Sequence, residues 1–254
     1  MKVVEQGSGT PIVFLHSGVG SAGEWRGVFA AWPSDYRLVA IEALRGGSGL
    51  GDLGHCTLDD FADQVLAAAS YVGQPVNLVG FSWGGATALH VAATSPDVVA
   101  SVAVIEPEAY SLLDPSDGPA FTTLRDLSEN WRAQVAAGNW HAAFAEFIDF
   151  YNGPGYFASW PATRRDAFLE ARRALGDMWQ PLLEAPITVN SLASIAAEVH
   201  VVEGSETSIV DRKLCDLVLR NVKRSTHSVI EGAGHMMPLT HSEELARVLL
   251  ERLR

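Results

Sequence analysis

The sequence contains little cysteine and little positive charge. Cys56 and Cys215 are its only cysteines. They are too few and too far apart for a disulfide framework or a cysteine metal site, and this usage is typical of a reducing compartment. Lysine and arginine number 18 against 30 aspartates and glutamates, which gives a formal net charge of -12. Because such a chain repels polyanions, we expect no nucleic-acid partner.

Long hydrophobic runs are also missing. No apolar stretch reaches the roughly 18 residues of a membrane-spanning helix, and residues 1–9 lack the apolar core of a signal peptide. We therefore expect a cytoplasmic protein with no membrane partner. The sequence has no Gly-Lys-Ser/Thr motif, and no Gly-x-Gly-x-x-Gly with an acidic residue after the next strand. It thus predicts no phosphate or dinucleotide site, and we expect neither a cofactor nor a metal.

What the chain does contain is an alternating pattern of strands and helices. Of its 254 residues, 48% are hydrophobic, enough for one large α/β domain with or without an insertion. Apolar runs of strand length alternate with helix-period segments, as in a parallel sheet with crossover helices. Thr57 and Asp60 can cap a helix that ends at Gly73. Strands are predicted at 11–15, 37–41, 75–79, 99–105, 198–204 and 225–230.

Between residues 107 and 186 the strand pattern gives way to helical segments rich in tryptophan and phenylalanine. Trp140, Phe144, Phe147, Ile148 and Tyr151 recur at helical spacing on one face. This stripe either packs on neighbouring helices or forms the underside of a lid over a substrate pocket. We predict an α/β core from residues 1–106 and 187–254, with residues 107–186 inserted as a helical cap.

The segment 80–85, Gly-Phe-Ser-Trp-Gly-Gly, stands between a predicted strand and a predicted helix. A nucleophilic serine must expose its hydroxyl on a sharp turn, where side chains at the flanking positions would collide with the neighbouring elements. Glycine at those positions meets that steric requirement. The pattern predicts a nucleophile elbow with Ser82 as the nucleophile.

The sequence offers both a base and oxyanion donors for Ser82. His235 lies in a glycine-rich loop just beyond the last predicted strand, at the sheet edge where the elbow also emerges. His16, Ser17 and Gly18 follow the first predicted strand in a turn of small residues that can present backbone N–H groups. We expect the amides of Gly18 and Trp83 to form the oxyanion hole, with His16 supporting the turn.

Taken together, these pieces resemble the α/β-hydrolase fold family over essentially the whole chain. The resemblance rests on residues 16–18, the segment 44–49 (Leu-Arg-Gly-Gly-Ser-Gly), the elbow, the helical insertion and the loop around His235. It implies a mostly parallel sheet of about eight strands flanked by helices, with an inserted helical cap.

The chain departs from the family pattern at the acid. Relatives carry an aspartate after the penultimate strand, where this chain has Thr207, which cannot orient an imidazolium as an anion would. Glu106 ends the strand after the elbow helix, where some family members, including a group of haloalkane dehalogenases, carry the acid. Glu206 lies one residue from the usual position and is the alternative. We expect Glu106 to be the acid, while a triad without an acid stays a third option.

Ser82 suits acyl transfer. Dehalogenation and epoxide hydrolysis are disfavoured. In these reactions an aspartate nucleophile forms an ester with the substrate that water can cleave, whereas a serine nucleophile would form a stable ether. We predict a serine hydrolase that cleaves a small, largely apolar carboxylic ester or lactone through an acyl-serine intermediate. A carbon–carbon bond hydrolase of diketone-like substrates and a non-catalytic ligand-binding protein are the alternatives.

The partner we expect is a small-molecule substrate, and the chain is either a monomer or a homodimer. Substrate contacts are expected from small polar residues beside the elbow and from aromatic residues of the cap. The candidate substrate-binding residues are His16, Ser17, Trp131, Trp140, Tyr156, Trp160 and Trp179.

Overall fold

A mixed β-sheet forms the centre of the computed structural model, which describes residues 2–42, 57–73, 75–172 and 179–253. The strands are β1 Lys2–Gly7, β2 Thr10–Leu15, β3 Tyr36–Glu42, β4 Val76–Phe81, β5 Val99–Ile105, β6 Glu198–Gly204 and β7 Ser225–Ile230. They form one seven-stranded sheet in the order β1-β3-β2-β4-β5-β6-β7. β1 pairs antiparallel with β3, and the other neighbours are parallel. The carboxyl ends of six parallel strands therefore meet at one edge.

Helices connect these strands and cover the sheet. They are α1 Arg26–Ala30, α2 Leu58–Val72, α3 Trp83–Thr94, α4 Pro119–Ala136, α5 Trp140–Asn152, α6 Tyr156–Ser159, α7 Ala162–Arg172, α8 Gln180–Leu183, α9 Val189–Ser194, α10 Ile209–Asn221, α11 Met237–Thr240 and α12 Ser242–Leu250. The elements described between β5 and β6 are all helical. None of the helices in the described part of the chain combines the length and apolar character needed to cross a bilayer.

The sheet separates two hydrophobic clusters. Along β4, Val76 and Leu78 point into the cluster with α2, α3 and α10, while Val79 and Phe81 point into the cluster with α1 and α12. Alternate residues of a strand project to opposite faces, so a strand that is apolar on both faces must lie between two layers. This placement puts the end of β4, and the residue that follows it, in the middle of the molecule.

The structure confirms the α/β architecture and the six strands predicted from the apolar runs, which are β2 to β7. It also confirms the helix after Thr57, whose capping box with Asp60 forms and whose end lies at Gly73 with φ of 80°. The sheet has seven strands in the described residues where the family resemblance implied about eight. Segment 44–49 and Cys56 lie outside the described residues.

Candidate active site

Ser82 occupies a strained turn between β4 and α3. Its φ of 58° and ψ of -119° are rare for a residue with a side chain, and its N–H donates to the Ile105 carbonyl at 2.9 Å. A Cβ at Gly80 would lie 2.2 Å from the Gly84 carbonyl oxygen, and one at Gly84 would lie 2.4 Å from the Leu15 carbonyl oxygen. Glycine at these positions lets the strand, the turn and the helix approach closely enough to form the elbow.

His235 follows β7 and reaches Glu106 at the end of β5. Its Nδ1 lies 2.8 Å from Glu106 Oε2, and both side chains are buried. The other carboxylate oxygen, Glu106 Oε1, accepts the Gly204 N–H at 2.8 Å. Since a carboxylate oxygen accepts hydrogen bonds, we place a proton on Nδ1 of His235 in this pair, and Nε2 is the nitrogen that can accept a proton when the ring is neutral.

Two aromatic rings contact the His235 imidazole. The Tyr151 ring from α5 stacks on it with ring centroids 4.2 Å apart and an interplanar angle of 28°. Phe81, at the end of β4, lies with its centroid at 4.9 Å. The hydrogen bond to Glu106 and these ring contacts together fix the direction in which Nε2 points.

Asp211 is a second buried carboxylate beside His235, and sequence reasoning missed it. It lies in the first turn of α10, with Oδ2 at 3.6 Å from His235 Nδ1. Oδ2 also accepts the Ser208 hydroxyl at 2.7 Å, whereas the buried Oδ1 has no hydrogen-bond partner. Asp211, four positions after Thr207, therefore adds a second carboxylate beside Nδ1 of His235.

The two carboxylates change the protonation of the site. Burial lowers the pKa of His235, but the negative charge of Asp211 and the hydrogen bond and charge of Glu106 outweigh it and raise the pKa to about 9. Burial raises the pKa of Asp211 to about 7, against the opposing charge of His235. An imidazolium is therefore favoured at neutral pH in the free protein, and His235 is a strong base once deprotonated.

Glu106, Asp211 and His235 are also a possible ligand set, since their ligand atoms lie within 4.8 Å of one another. However, Nδ1 and Oε2 are 2.8 Å apart, closer than the separation of more than about 3 Å between two ligands of a tetrahedral zinc ion. A shared proton accounts for that distance. We therefore assign the cluster to an acid–histidine pair.

The alternative acid, Glu206, does not reach the imidazole. Its side chain is exposed, and the carboxylates within 4.0 Å of His235 in the described part of the chain belong to Glu106 and Asp211. Thr207 also makes no hydrogen bond with His235, and its hydroxyl oxygen is buried without a partner. Of the two candidate acids, the geometry thus places Glu106 beside the base.

A cavity of about 520 Å³ joins the predicted nucleophile and base. Ser82 and His235 lie in its wall together with Ser17, Gly18, Tyr156 and Trp160. Phe147 and Tyr151 of the predicted aromatic stripe also line it, as does Glu108, which was not predicted from the sequence. The cavity is formed between the carboxyl edge of the sheet and the helices between β5 and β6.

Three tryptophans predicted to bind substrate lie elsewhere. Trp131 and Trp179 are buried in the hydrophobic core, and Trp140 packs against it. Their indole rings fill the space between helices, as in the packing interpretation of the aromatic stripe. His16 and Trp83 line a separate small cavity of about 30 Å³ beside Ser17 and Gly18.

The turn after β2 holds the expected oxyanion donor close to the elbow. A Cβ at Gly18 would lie 2.8 Å from the Trp83 ring, so the Gly18 backbone lies directly against that residue. The Ser17 N–H and hydroxyl both donate to the buried Glu24 carboxylate, at 3.0 and 2.7 Å. Glu24 thereby fixes the turn that carries Gly18.

Comparison with known proteins agrees with this architecture. The chain is 28% identical over 96% of its length to a pimeloyl-[acyl-carrier protein] methyl ester esterase from Methylococcus capsulatus, 95% of which is covered. It is 34% identical over 48% of its length to a haloalkane dehalogenase from Agrobacterium fabrum, but the match spans 40% of that protein. It is 32% identical over 97% of its length to the dihydrolipoyllysine-residue acetyltransferase component of an acetoin cleaving system from Pseudomonas putida, 64% of which is covered.

A solved structure shows the same fold. The enol-lactonase from Burkholderia xenovorans matches with a TM-score of 0.77 at 15% identity, covering 98% of this chain and 95% of the lactonase. A mostly parallel sheet with a serine at a strained turn after a central strand is the architecture of the α/β-hydrolase fold. The model of the alpha/beta hydrolase family matches residues 12–248, so the chain belongs to that family. The hydrolase names among its relatives support a hydrolase role.

Proposed function

We propose that the protein is a serine hydrolase that cleaves a small carboxylic ester or lactone through an acyl-serine intermediate. The observation that carries the proposal is that Ser82 and His235 line the same cavity, while Nδ1 of His235 is hydrogen-bonded to buried Glu106. Nucleophile, base and orienting acid in this order form the arrangement that activates a serine for acyl transfer. The esterase among the relatives agrees with this chemistry.

In the proposed reaction, His235 acts in its neutral form: Nε2 accepts the Ser82 proton while Ser82 Oγ attacks the substrate carbonyl carbon. The backbone amides of Gly18 and Trp83 stabilise the oxyanion that develops. The imidazolium then donates its proton to the leaving alcohol oxygen, and the carbon–oxygen bond breaks. A water molecule, deprotonated by His235, then attacks the acyl carbon. The bond between that carbon and Ser82 Oγ breaks, the imidazolium returns its proton to Ser82 Oγ, and the carboxylic acid is released.

We also propose that residues 107–186 serve as a cap over this site. The cavity that Ser82 lines is also lined by Phe147 and Tyr151 of α5, by Tyr156 of α6 and by Trp160, which follows α6. Such walls favour a substrate with an apolar body, because apolar surface removed from water contributes about 25 cal/mol per Å². The cavity volume of about 520 Å³ limits this substrate to a small molecule.

Labelling with a fluorophosphonate probe tests the nucleophile. The wild type and a Ser70→Ala control, changed at an exposed serine on α2, should be labelled, and Ser82→Ala should not. The reason is that phosphonylation needs a serine activated by a neighbouring base. Equal labelling of the wild type and Ser82→Ala would contradict the assignment.

A further inference from the structure

Glu108 is a buried carboxylate in the wall of the active-site cavity. Its side chain is 3% exposed, and it lines the same cavity as Ser82 and His235. Its N–H donates to the Ser82 carbonyl at 3.1 Å, which ties it to the elbow. Neither the acid–base arrangement nor the oxyanion donors use this residue.

One of the two Glu108 oxygens is fully engaged by tyrosines. Oε1 accepts the Tyr110 hydroxyl at 2.7 Å and the Tyr151 hydroxyl at 2.8 Å, and the two hydroxyl oxygens are 2.6 Å apart. These bonds fix the carboxylate in one orientation. Oε2 has no hydrogen-bond partner within the described structure, so it is the oxygen available to a molecule in the cavity.

Among the described residues, Glu108 also has no positively charged group in direct contact, although its charge is one of those that raise the pKa of His235. In the described ranges, no lysine, arginine or histidine nitrogen lies within 4.0 Å of its carboxylate. Removing a carboxylate from water without a counter-charge is unfavourable, and tyrosine hydroxyls offset this only in part. A ligand that brings positive charge to Oε2 would supply the missing interaction.

The rest of the cavity wall suits a cation as well. Phe147, Tyr151 and Trp160 present aromatic rings to the same space, and aromatic faces attract cations through their quadrupoles. Arg26 and Arg164 also line the cavity, but both are exposed, and the Arg164 guanidinium already lies 4.0 Å from the centre of the Trp160 ring. Water screens these exposed charges far more than the buried carboxylate.

We propose that Glu108 binds a cationic nitrogen of the substrate, so that the preferred ester or lactone carries an ammonium group a few carbon atoms from the carbonyl that Ser82 attacks. This inference rests on the proposed serine hydrolase function. It restricts the substrate class from apolar esters in general to those with one positive charge on an otherwise apolar body.

Two matched esters test the preference. One is a p-nitrophenyl ester whose acyl chain ends in trimethylammonium, and the other is its uncharged isostere ending in tert-butyl. The wild type should have a kcat/KM at least about tenfold higher for the cationic ester. In Glu108→Gln, which keeps the size of the side chain and removes its charge, the ratio of the two kcat/KM values should fall toward one, and any preference that remains comes from the aromatic rings. Glu129→Gln, which removes an exposed carboxylate on α4, should keep the wild-type ratio.

A binding measurement without turnover separates this inference from the proposed function. Butyltrimethylammonium is titrated calorimetrically into the wild type, Glu108→Gln and Glu129→Gln after circular dichroism has shown that each is folded. The Kd for this cation should rise at least about tenfold in Glu108→Gln alone. If neither ester is hydrolysed, the serine hydrolase assignment fails and the titration still decides the role of Glu108.

The inference is overturned if the wild type shows no preference for the cationic ester and also binds butyltrimethylammonium no better than Glu108→Gln does. An equal loss of kcat/KM on both esters in Glu108→Gln, with unchanged cation binding, would also overturn it. That result would assign Glu108 to holding Tyr151 against His235.

Discussion

At the scale of single residues, Glu106 combines two unfavourable features. It is fully buried and has a φ of 42°, and a left-handed conformation in a residue with a side chain costs about 1–3 kcal/mol. The surrounding structure holds it there, since its N–H donates to the Val202 carbonyl at 3.1 Å and its Oε1 accepts the Gly204 N–H. Strain and burial of this kind persist at functional sites, which fits an orienting role toward His235.

Replacing the acid tests that role. Glu106→Gln should lower kcat by roughly a hundredfold or more, because an amide can hold the imidazole in the wrong tautomer and does not stabilise the imidazolium. Esterase kinetics on p-nitrophenyl butyrate would measure the loss. Glu206→Gln, at the exposed alternative position, is the matched control and should retain wild-type kcat. A large loss in Glu206→Gln with little change in Glu106→Gln would reverse the assignment.

The candidate nucleophile and the candidate base could be named from the sequence because each carries a local signal. Ser82 stands in a glycine pattern and His235 in a glycine-rich loop after a strand. Asp211 and Glu108 carry no such signal. In the sequence, Asp211 is an ordinary acidic residue in the first turn of a helix, and Glu108 is a carboxylate in a loop after Pro107. Their positions depend on how α10 and the segment after β5 pack around His235, which periodicity does not reveal.

At the scale of elements, the elbow depends on close approach between β4, α3 and β2. Gly84→Ala should destabilise the protein by about 1–3 kcal/mol, because the added Cβ would lie 2.4 Å from the Leu15 carbonyl oxygen in a packed backbone. Urea unfolding would measure the change. Gly234→Ala is the control, since its Cβ would approach the Glu206 carbonyl oxygen only to 3.8 Å. Equal stability of the two variants would contradict this account of the elbow.

Elements with strong apolar runs were predictable, and the weakly patterned ones were not. β4 and β5 are buried on both faces, so their apolar runs stand out in the sequence. β1 is an antiparallel edge strand with mostly exposed residues, and its sequence gives no such run. The aromatic stripe of α5 predicted a helix correctly, but which of its rings face the cavity depends on the tilt of α5 over the sheet.

At the scale of the whole molecule, the excess of acidic residues extends into the interior. The chain has a formal net charge of -12, and Glu24, Glu106, Glu108 and Asp211 are all buried near the cavity or His235. Most carboxylates stabilise a fold as they ionise, but one whose pKa is raised by burial does the opposite. Asp211 therefore makes the stability of the whole fold sensitive to pH near neutrality.

The sign of that sensitivity follows from proton uptake. The pKa of Asp211 rises from 3.8 to about 7 in the folded protein, and that of His235 rises from 6.5 to about 9. For each residue, the folded state binds more protons than the unfolded state at pH values between the unfolded and the folded pKa. The stabilisation that each residue contributes is therefore present at low pH and is lost as pH rises. The loss runs from about pH 4 to pH 7 for Asp211 and from about pH 6.5 to pH 9 for His235.

Asp211→Asn should weaken this pH dependence. The variant lacks the carboxylate that takes up a proton on folding, and it removes a negative charge that raises the pKa of His235. Its free energy of unfolding should therefore rise relative to that of the wild type as pH increases, by roughly 1–4 kcal/mol over the whole range. Urea unfolding at a series of pH values would measure the difference. Asp216→Asn, a more exposed carboxylate on the same helix, should follow the wild-type curve. Parallel curves for the wild type and Asp211→Asn would show that Asp211 takes up no proton on folding, which contradicts the prediction.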